Sequence, residues 1–146
     1  MKKGFSIIFA LLIVGIVASV GLSVFEIFSL ELAMTGSIRE SQRAFYAADA
    51  AGECGLYWDL KNPPPLSTST PKTITCNNEN KTVGGSASSG FQLLFSNGSC
   101  VNVIINIDPT TGQKKIESLG RSKYSGGNCD TPVPQRTERG LEIKYD

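Results

Sequence analysis

The 146-residue sequence contains no histidine. The commonest general base and zinc ligand is therefore missing, and neither a Ser-His-Asp nor a Cys-His catalytic site can be built. Neither sign of charge is in excess, with 14 Lys+Arg against 13 Asp+Glu. Such a balance supplies no positive field for holding phosphates, and nucleic acid is not an expected partner. The four cysteines, Cys54, Cys76, Cys100 and Cys129, are separated by 21, 23 and 28 residues and include no Cys-x-x-Cys pair. Zinc sites nearly always contain a close pair, so no metal and no cofactor is expected. No spacing of Ser, Asp, Glu or Lys singles out an enzyme site, and there is no internal repeat.

Charge is also missing from Phe5 to Phe25, a run of 21 apolar and small residues preceded by the short basic leader Met1-Lys2-Lys3-Gly4. As a helix this run spans about 31 Å, the hydrocarbon thickness of a bilayer. A core helix of so small a domain would carry a polar face, and this one has none. A secretory signal shares the basic start and apolar core, but its core is normally about 7–15 residues and ends at a small-x-small cleavage site. Lys2 and Lys3 precede the run while Glu26 and Glu31 follow it. The positive-inside bias therefore predicts a cytoplasmic N-terminus and an extracytoplasmic C-terminal domain.

Proline is absent from Glu26 to Asp59. Ile27, Leu30, Met34, Ile38, Ser41, Phe45, Ala48, Gly52 and Gly55 recur at steps of three and four, which predicts an amphipathic stem continuing the membrane helix. Unbroken from Phe5 to Asp59, such a helix would be about 80 Å long. Ala44, Ala47, Ala48, Ala50, Ala51, Gly52 and Gly55 crowd its far end, and small side chains let a sheet or second helix approach closely. Tyr57 and Trp58 are expected as core anchors. Asn62-Pro63-Pro64-Pro65 ends the helix.

Beyond a Ser/Thr/Pro linker at 66–71 the period becomes two. Phe91, Leu93 and Phe95, then Val101, Val103, Ile105 and Ile107, flank Ser96-Asn97-Gly98-Ser99 and predict a hairpin. A two-residue turn would put the two apolar rows on opposite faces. A loop one residue longer, with Gly98 left-handed, pairs Phe95 with Val101 and Leu93 with Val103 and buries both rows together. Gln113 to Leu119 and Leu141 to Tyr145 supply further strands, giving four or five in meander order over the small-residue face of the stem. Asn77 to Gly90 and Gly120 to Gln135 read as long loops. The predicted fold is α+β, a long N-terminal membrane helix continuing as a stem packed against a small antiparallel sheet. Its parts are a leader at 1–4, a transmembrane part at 5–25, a stem at 26–60 and a head at 61–146. In an exported head the four cysteines read as two disulfides, with three pairings open. Lys114, Lys115, Arg121 and Lys123 cluster, but interleaved acids predict a solvated face.

A basic leader ending in Gly, then Phe and an apolar helix leading through a stem into an antiparallel sheet, resembles the type IV pilin and pseudopilin group. Gly4-Phe5-Ser6-Ile7-Ile8 carries the start of the resemblance. Ser41-Gln42-Arg43-Ala44-Phe45-Tyr46-Ala47-Ala48-Asp49-Ala50-Ala51-Gly52 looks like the R-x-A-F-x-A-A-E-A-G stretch of minor pilins with a PilX-type N-terminal region. The segments Ile116 to Gly120 and Arg136 to Tyr145 are similar to closing strands in that group. The resemblance implies that a prepilin peptidase cuts between Gly4 and Phe5 and methylates the new amine. It further implies that the chain passes from the cytoplasmic membrane into a cell-surface filament beside other pilin subunits, with Phe5, Phe9 and Glu26 on the assembly helix. Major pilins carry Glu at the fifth position after the cut, where this chain has Phe9. That Glu is thought to neutralise a neighbouring subunit's amine, and a carboxylate in hydrocarbon is tolerable only when so paired. Phe9 therefore implies a minor subunit. The competing class is a membrane-anchored extracellular binding module, for surface adhesion or DNA uptake, that joins no filament.

Overall fold

A computed structural model describes residues 3–61, 66, 70–85, 88–108 and 110–145, with side chains from Ile7 onward. The chain divides into two compact units, Met1–Ile38 and Arg39–Asp146. The first is helical throughout its described length, being the opening part of α1 (Lys3–Lys61). No proline interrupts α1, and its hydroxyl side chains bond their own backbone. Ser19, Ser23, Ser29, Thr35 and Ser37 each donate to a carbonyl three or four residues back, at 2.8–3.0 Å. Polar groups that an apolar surrounding would leave unsatisfied are thus satisfied within the helix. Met1 and Lys2, the start of the leader, lie outside the described residues.

The second unit contains the rest of α1 and six strands: β1 (Lys72–Cys76), β2 (Glu79–Val83), β3 (Ser88–Leu94), β4 (Cys100–Ile107), β5 (Lys114–Arg121) and β6 (Glu138–Tyr145). β3 to β6 form one antiparallel sheet in chain order, the predicted meander. β1 and β2 form a separate hairpin, whose turn and second strand lie inside the stretch from Asn77 to Gly90 expected to be loop. Asn77 and Asn78, with φ of 52° and 60°, turn it. Paired left-handed residues are what a two-residue hairpin turn requires, and asparagine tolerates that conformation best after glycine. The strand pattern there was hidden because Asn80 and Lys81 interrupt the apolar alternation of Ile74, Cys76 and Val83. The stop at Asn62 to Pro65 and residues 67–69 of the linker lie outside the described residues.

The β3–β4 register differs from the predicted one by two positions. Leu93 faces Val101, and Phe91 faces Val103. The loop does have three residues, with Gly98 at φ 84°, but it begins at Ser96: Phe95 N–H donates to Ser99 O (2.9 Å) and Gly98 N–H to Phe95 O (3.0 Å). Asn97 Oδ1 accepts from both the backbone and the hydroxyl of Ser99, which pins the turn one residue earlier. A shift of two leaves the alternation unchanged, so both apolar rows still share the buried face. The core holds Phe91, Leu93, Val101, Val103, Ile105 and Ile116 of the sheet with Ala47 and Ala51 of α1, and Ile74 and Val83 of the hairpin.

The face of α1 against the sheet is Ala44, Ala47, Ala48, Ala51, Gly52, Gly55 and Asp59, all buried. Phe45, expected on this face, is 43% exposed and lies beside it. Small side chains occupy the seam because the two backbones nearly touch. A β-carbon at Gly120 would lie inside van der Waals distance of the Ala44 carbonyl oxygen and 2.8 Å from the Ala48 nitrogen. Next to it the Ser118 hydroxyl donates to the Ala48 carbonyl. Trp58 packs partly into the core and donates its indole N–H to Thr75 O (3.1 Å), whereas Tyr57 is 52% exposed and is not a core anchor.

Asp59 closes this seam. Its side chain has no exposed surface. Oδ1 accepts the Leu66 N–H (2.7 Å), while Oδ2 accepts from Lys114 Nζ (3.0 Å) and Tyr145 Oη (3.0 Å). One carboxylate thus joins the helix end, the segment that follows, β5 and β6. Burial, then the charge of Asp59 and its hydrogen bond, hold the Tyr145 phenol above its ordinary value. The two disulfides are Cys54–Cys76, joining α1 to β1, and Cys100–Cys129, joining β4 to the loop before β6.

Gly120→Ala should lower the unfolding free energy by about 3 kcal/mol, since its methyl meets helix backbone that cannot yield, whereas Gly52→Ala meets only the Ile143 and Ser118 side chains at 3.5 Å or more and should be tolerated. Denaturant titration of the two variants in detergent checks this. Asp59→Ala should cost roughly 3–5 kcal/mol by stranding Lys114 and Tyr145. A raised phenol value stabilises fully below the unfolded value of about 10 and is lost as pH rises through the folded one. The stability advantage of wild type over Tyr145→Phe should therefore shrink above about pH 10.

Candidate functional site

Two surfaces remain once the core is accounted for. The first is the helix of the N-terminal unit. Every large apolar side chain from Ile7 to Ile38 is 46–69% exposed, Phe9 at 58% among them. Gly15, Gly21 and Gly36 have no atom near where a β-carbon would stand. The segment is long and apolar enough to cross a membrane, and none of it is buried within the protein. The predicted processing residues Gly4 and Phe5 lie within the helical backbone of α1, and their side chains are outside the described residues. Glu26 is exposed just past the uncharged run. The apolar surface does not stop with that run. Phe28, Leu30, Leu32, Met34 and Ile38 continue it for more than three turns, interrupted by Glu26 and Glu31.

The second surface is the face of the four-stranded sheet turned away from α1. The predicted basic cluster is dispersed here by strand alternation. Lys114 turns inward to Asp59; Lys115 turns outward to Glu117 (2.7 Å) and Glu142 (3.6 Å). Lys123 approaches Glu40 at 3.8 Å. Arg121 bonds Asp130 (2.7 Å), Glu138 (2.9 Å) and the Cys129 carbonyl (3.0 Å). The bond that Lys115 donates to Glu117 holds its ammonium above the ordinary value, and the bond from Lys144 holds Glu142 below its own. Burial opposes the charge of Arg121, but the bonds to Asp130 and Glu138 outweigh it and raise its value further. The same Arg121 bond, ahead of that from Asn102, holds Asp130 below the usual carboxylate range.

Arg121 and the Cys100–Cys129 disulfide together fasten the loop at 122–137 onto this face. Arg136 adds bonds to the carbonyls of Cys129 (3.2 Å) and Thr131 (2.8 Å), and Gln92 reaches Asn128 (3.3 Å). Between the loop and the strands lies a notch of about 530 Å³. It exists because Leu119 of β5 pairs with Gly140 of β6, which has no side chain to cover it. Ile104, 44% exposed, stands opposite Glu117, and Glu117 opposite Glu142, so these three residues of neighbouring strands form one wall. Among the described residues no group of three or more His, Cys, Asp and Glu could hold a metal ion.

Neither Asp59 nor the notch was found from the sequence. Asp59 was legible in principle, since it continues the spacing of Ala44, Ala48, Ala51 and Gly55. The notch depends on which residue faces Gly140, and pairing across strands has no local signal.

Arg121→Met should lower stability by about 2 kcal/mol and speed amide exchange across 122–137 while leaving the sheet intact. A depressed Asp130 contributes stability above the unfolded carboxyl value of about 3.9 and loses it as pH falls through the folded one. The gap between wild type and Arg121→Met should therefore narrow below about pH 4 in denaturant titrations at successive pH values. No protein-family model, curated protein or solved structure matches this chain.

Proposed function

We propose that the protein is a minor pilin or pilin-like subunit of a type IV pilus or a type II secretion-like pseudopilus, anchored and then assembled through its N-terminal helix. The observation that carries this reading is the exposed apolar surface from Ile7 to Ile38, which is longer than a bilayer's hydrocarbon requires. At about 1.5 Å per residue it spans roughly 48 Å, against about 30 Å of hydrocarbon. A plain anchor leaves the excess in water; a bundle of like helices covers it. The pilin-like leader and the Arg43 to Gly52 stretch support the same reading. In it Lys2 and Lys3 keep the N-terminus cytoplasmic until prepilin peptidase cuts before Phe5, and the head stays outside. Phe9, standing where a carboxylate would pair with a neighbour's amine, favours a subunit present in few copies.

A membrane-anchored binding module is the second reading, favoured by the notch on the outer sheet face.

The mature chain should lack Met1 to Gly4 and carry one methyl group on Phe5. Gly4→Val should abolish that processing, because the peptidase must accept a residue with almost no side chain, and should leave the protein in the membrane fraction. Intact-protein mass spectrometry of both forms checks it. An unchanged mature mass in the variant would sink the pilin reading.

A further inference from the structure

Asn97, at the tip of the β3–β4 hairpin, is the one asparagine in the sequence that precedes a glycine. Attack of the Gly98 backbone nitrogen on the Asn97 carboxamide carbon closes a five-membered ring, so the two reacting groups are held together by the chain itself. A side chain on the following residue would crowd that nitrogen, and glycine has none. At Gly98, with φ 84°, nothing beyond its chain neighbours lies within 4 Å of where a β-carbon would stand. Asn97 is exposed, so water reaches its carboxamide. The carboxamide oxygen is held from the protein side: Oδ1 accepts the Ser99 N–H (3.0 Å) and the Ser99 hydroxyl (2.7 Å). Ser99 is 1% exposed, which shields its hydroxyl from competing water. Two donors aimed at a carbonyl oxygen stabilise the negative charge it acquires when a nucleophile adds to its carbon. One bond resists. Gly98 N–H donates to Phe95 O (3.0 Å), and the nitrogen must leave that bond to attack. It is a single bond at a hairpin tip, where local opening costs least.

We propose that this turn is a self-modifying site, at which Asn97 is converted to aspartate and isoaspartate with water as the only co-reactant. The Gly98 nitrogen adds to Cγ of Asn97, and Oδ1 takes the charge under the two Ser99 donors. The Cγ–Nδ2 bond then breaks, and the amide nitrogen leaves as ammonia, carrying in the balance the proton that Gly98 gives up. Water opens the resulting cyclic imide at either carbonyl. Cleavage of the new bond between Cγ and the Gly98 nitrogen gives aspartate; cleavage of the original peptide bond gives isoaspartate, with the chain running through the side chain. Nothing is oxidised or reduced, and the net change is amide plus water to acid plus ammonia. Aspartate keeps an oxygen on both Ser99 donors, now in charge-assisted bonds. Isoaspartate adds one carbon to the backbone between Phe95 and Ser99, the pair that closes the turn, beside the Cys100–Cys129 link. The site belongs to the head alone, so the assignment stands whether or not the chain joins a filament.

The test incubates the full-length protein in detergent micelles, in mildly alkaline buffer without denaturant, and follows every asparagine by peptide mapping. Conversion reads as a gain of one mass unit on the peptide that holds Asn97, with the aspartate form identified against the Asn97→Asp variant and the isoaspartate form eluting apart from it. Asn97 is expected to convert before any other asparagine. Ser99→Ala removes the hydroxyl donor and keeps the N–H, and should slow conversion about fivefold, the effect of one neutral hydrogen bond. Gly98→Ala should stop conversion over the same period by crowding the nitrogen. Amide spectra report whether each variant keeps the hairpin, and should Ser99→Ala lose it, wild type and Gly98→Ala decide. No conversion at Asn97 in the folded protein, earlier conversion at another asparagine, an equal or faster rate in folded Ser99→Ala, or an unchanged rate in Gly98→Ala would each overturn the proposal.

Discussion

The head is organised by the contact of helix backbone with strand backbone at Ala44, Ala48 and Gly120. Side chains of ordinary size cannot fit between surfaces that close, so Ala44, Ala48 and Gly52 of the helix meet Ser118 and Gly120 of β5 there. Ser118 uses the proximity to donate to the Ala48 carbonyl. The restriction has a cost: a seam of alanines buries little apolar area per residue, and burial is what stabilises a small domain. The larger residues of the core, Phe91, Leu93, Ile105 and Ile116, accordingly come from the sheet, while the helix supplies a close-fitting surface. Asp59 then fixes the end of the seam with three hydrogen bonds, two of them to neighbouring strands. A buried charge is tolerable there because every bond it needs is made.

The same contact explains what could be read from the sequence. Alanines at 44, 47, 48 and 51 announced a close approach before any strand was placed. Period-two alternation in Phe91 to Ile107 announced a hairpin with both rows buried. The stem stripe failed in an instructive way: it joined Ile27, Leu30, Met34, Ile38 and Phe45 to Ala48 and Gly52 as one face. The large members of that stripe are exposed, while its small members Ala48, Gly52 and Gly55 share the buried seam with Ala44, Ala47 and Ala51. Residue size was the better guide than hydrophobicity, because hydrophobicity measures preference for any apolar neighbour, including one supplied by lipid or by another chain. Pairing was legible in parity but not in register, since local turn bonds from Asn97 decided where the loop began. The place of Asp59 on the seam followed the helical spacing, whereas its partners on β5 and β6, like the notch, lay beyond any local pattern.

Charged residues on the outer face are arranged so that nearly every one is shared. Lys115 serves Glu117 and Glu142; Arg121 serves Asp130 and Glu138; Arg136 also reaches Glu138 at 2.6 Å. Exposed pairs of this kind contribute little singly. Their effect is positional, holding the loop at 122–137 against strands to which it contributes no ladder of its own. The balance of charge in the sequence is therefore also local in the head, where Lys114, Lys115, Arg121 and Lys123 each have an acidic partner.

The disulfides complete that logic. Each joins a segment of regular structure to one that regular hydrogen bonding secures less well: α1 to the two-stranded hairpin, and β4 to the long loop. The sequence separations of 22 and 29 would by chain entropy contribute about 3–4 kcal/mol each. Against a total stability of roughly 5–15 kcal/mol for a domain, that share is large. A head whose helix contributes mostly alanine gains from covalent closure what its seam cannot supply by burial. Such closure persists only in an oxidising compartment. The two units thus differ in kind: the first is a helix long and apolar enough to cross a membrane, and the second is a head closed by two covalent links.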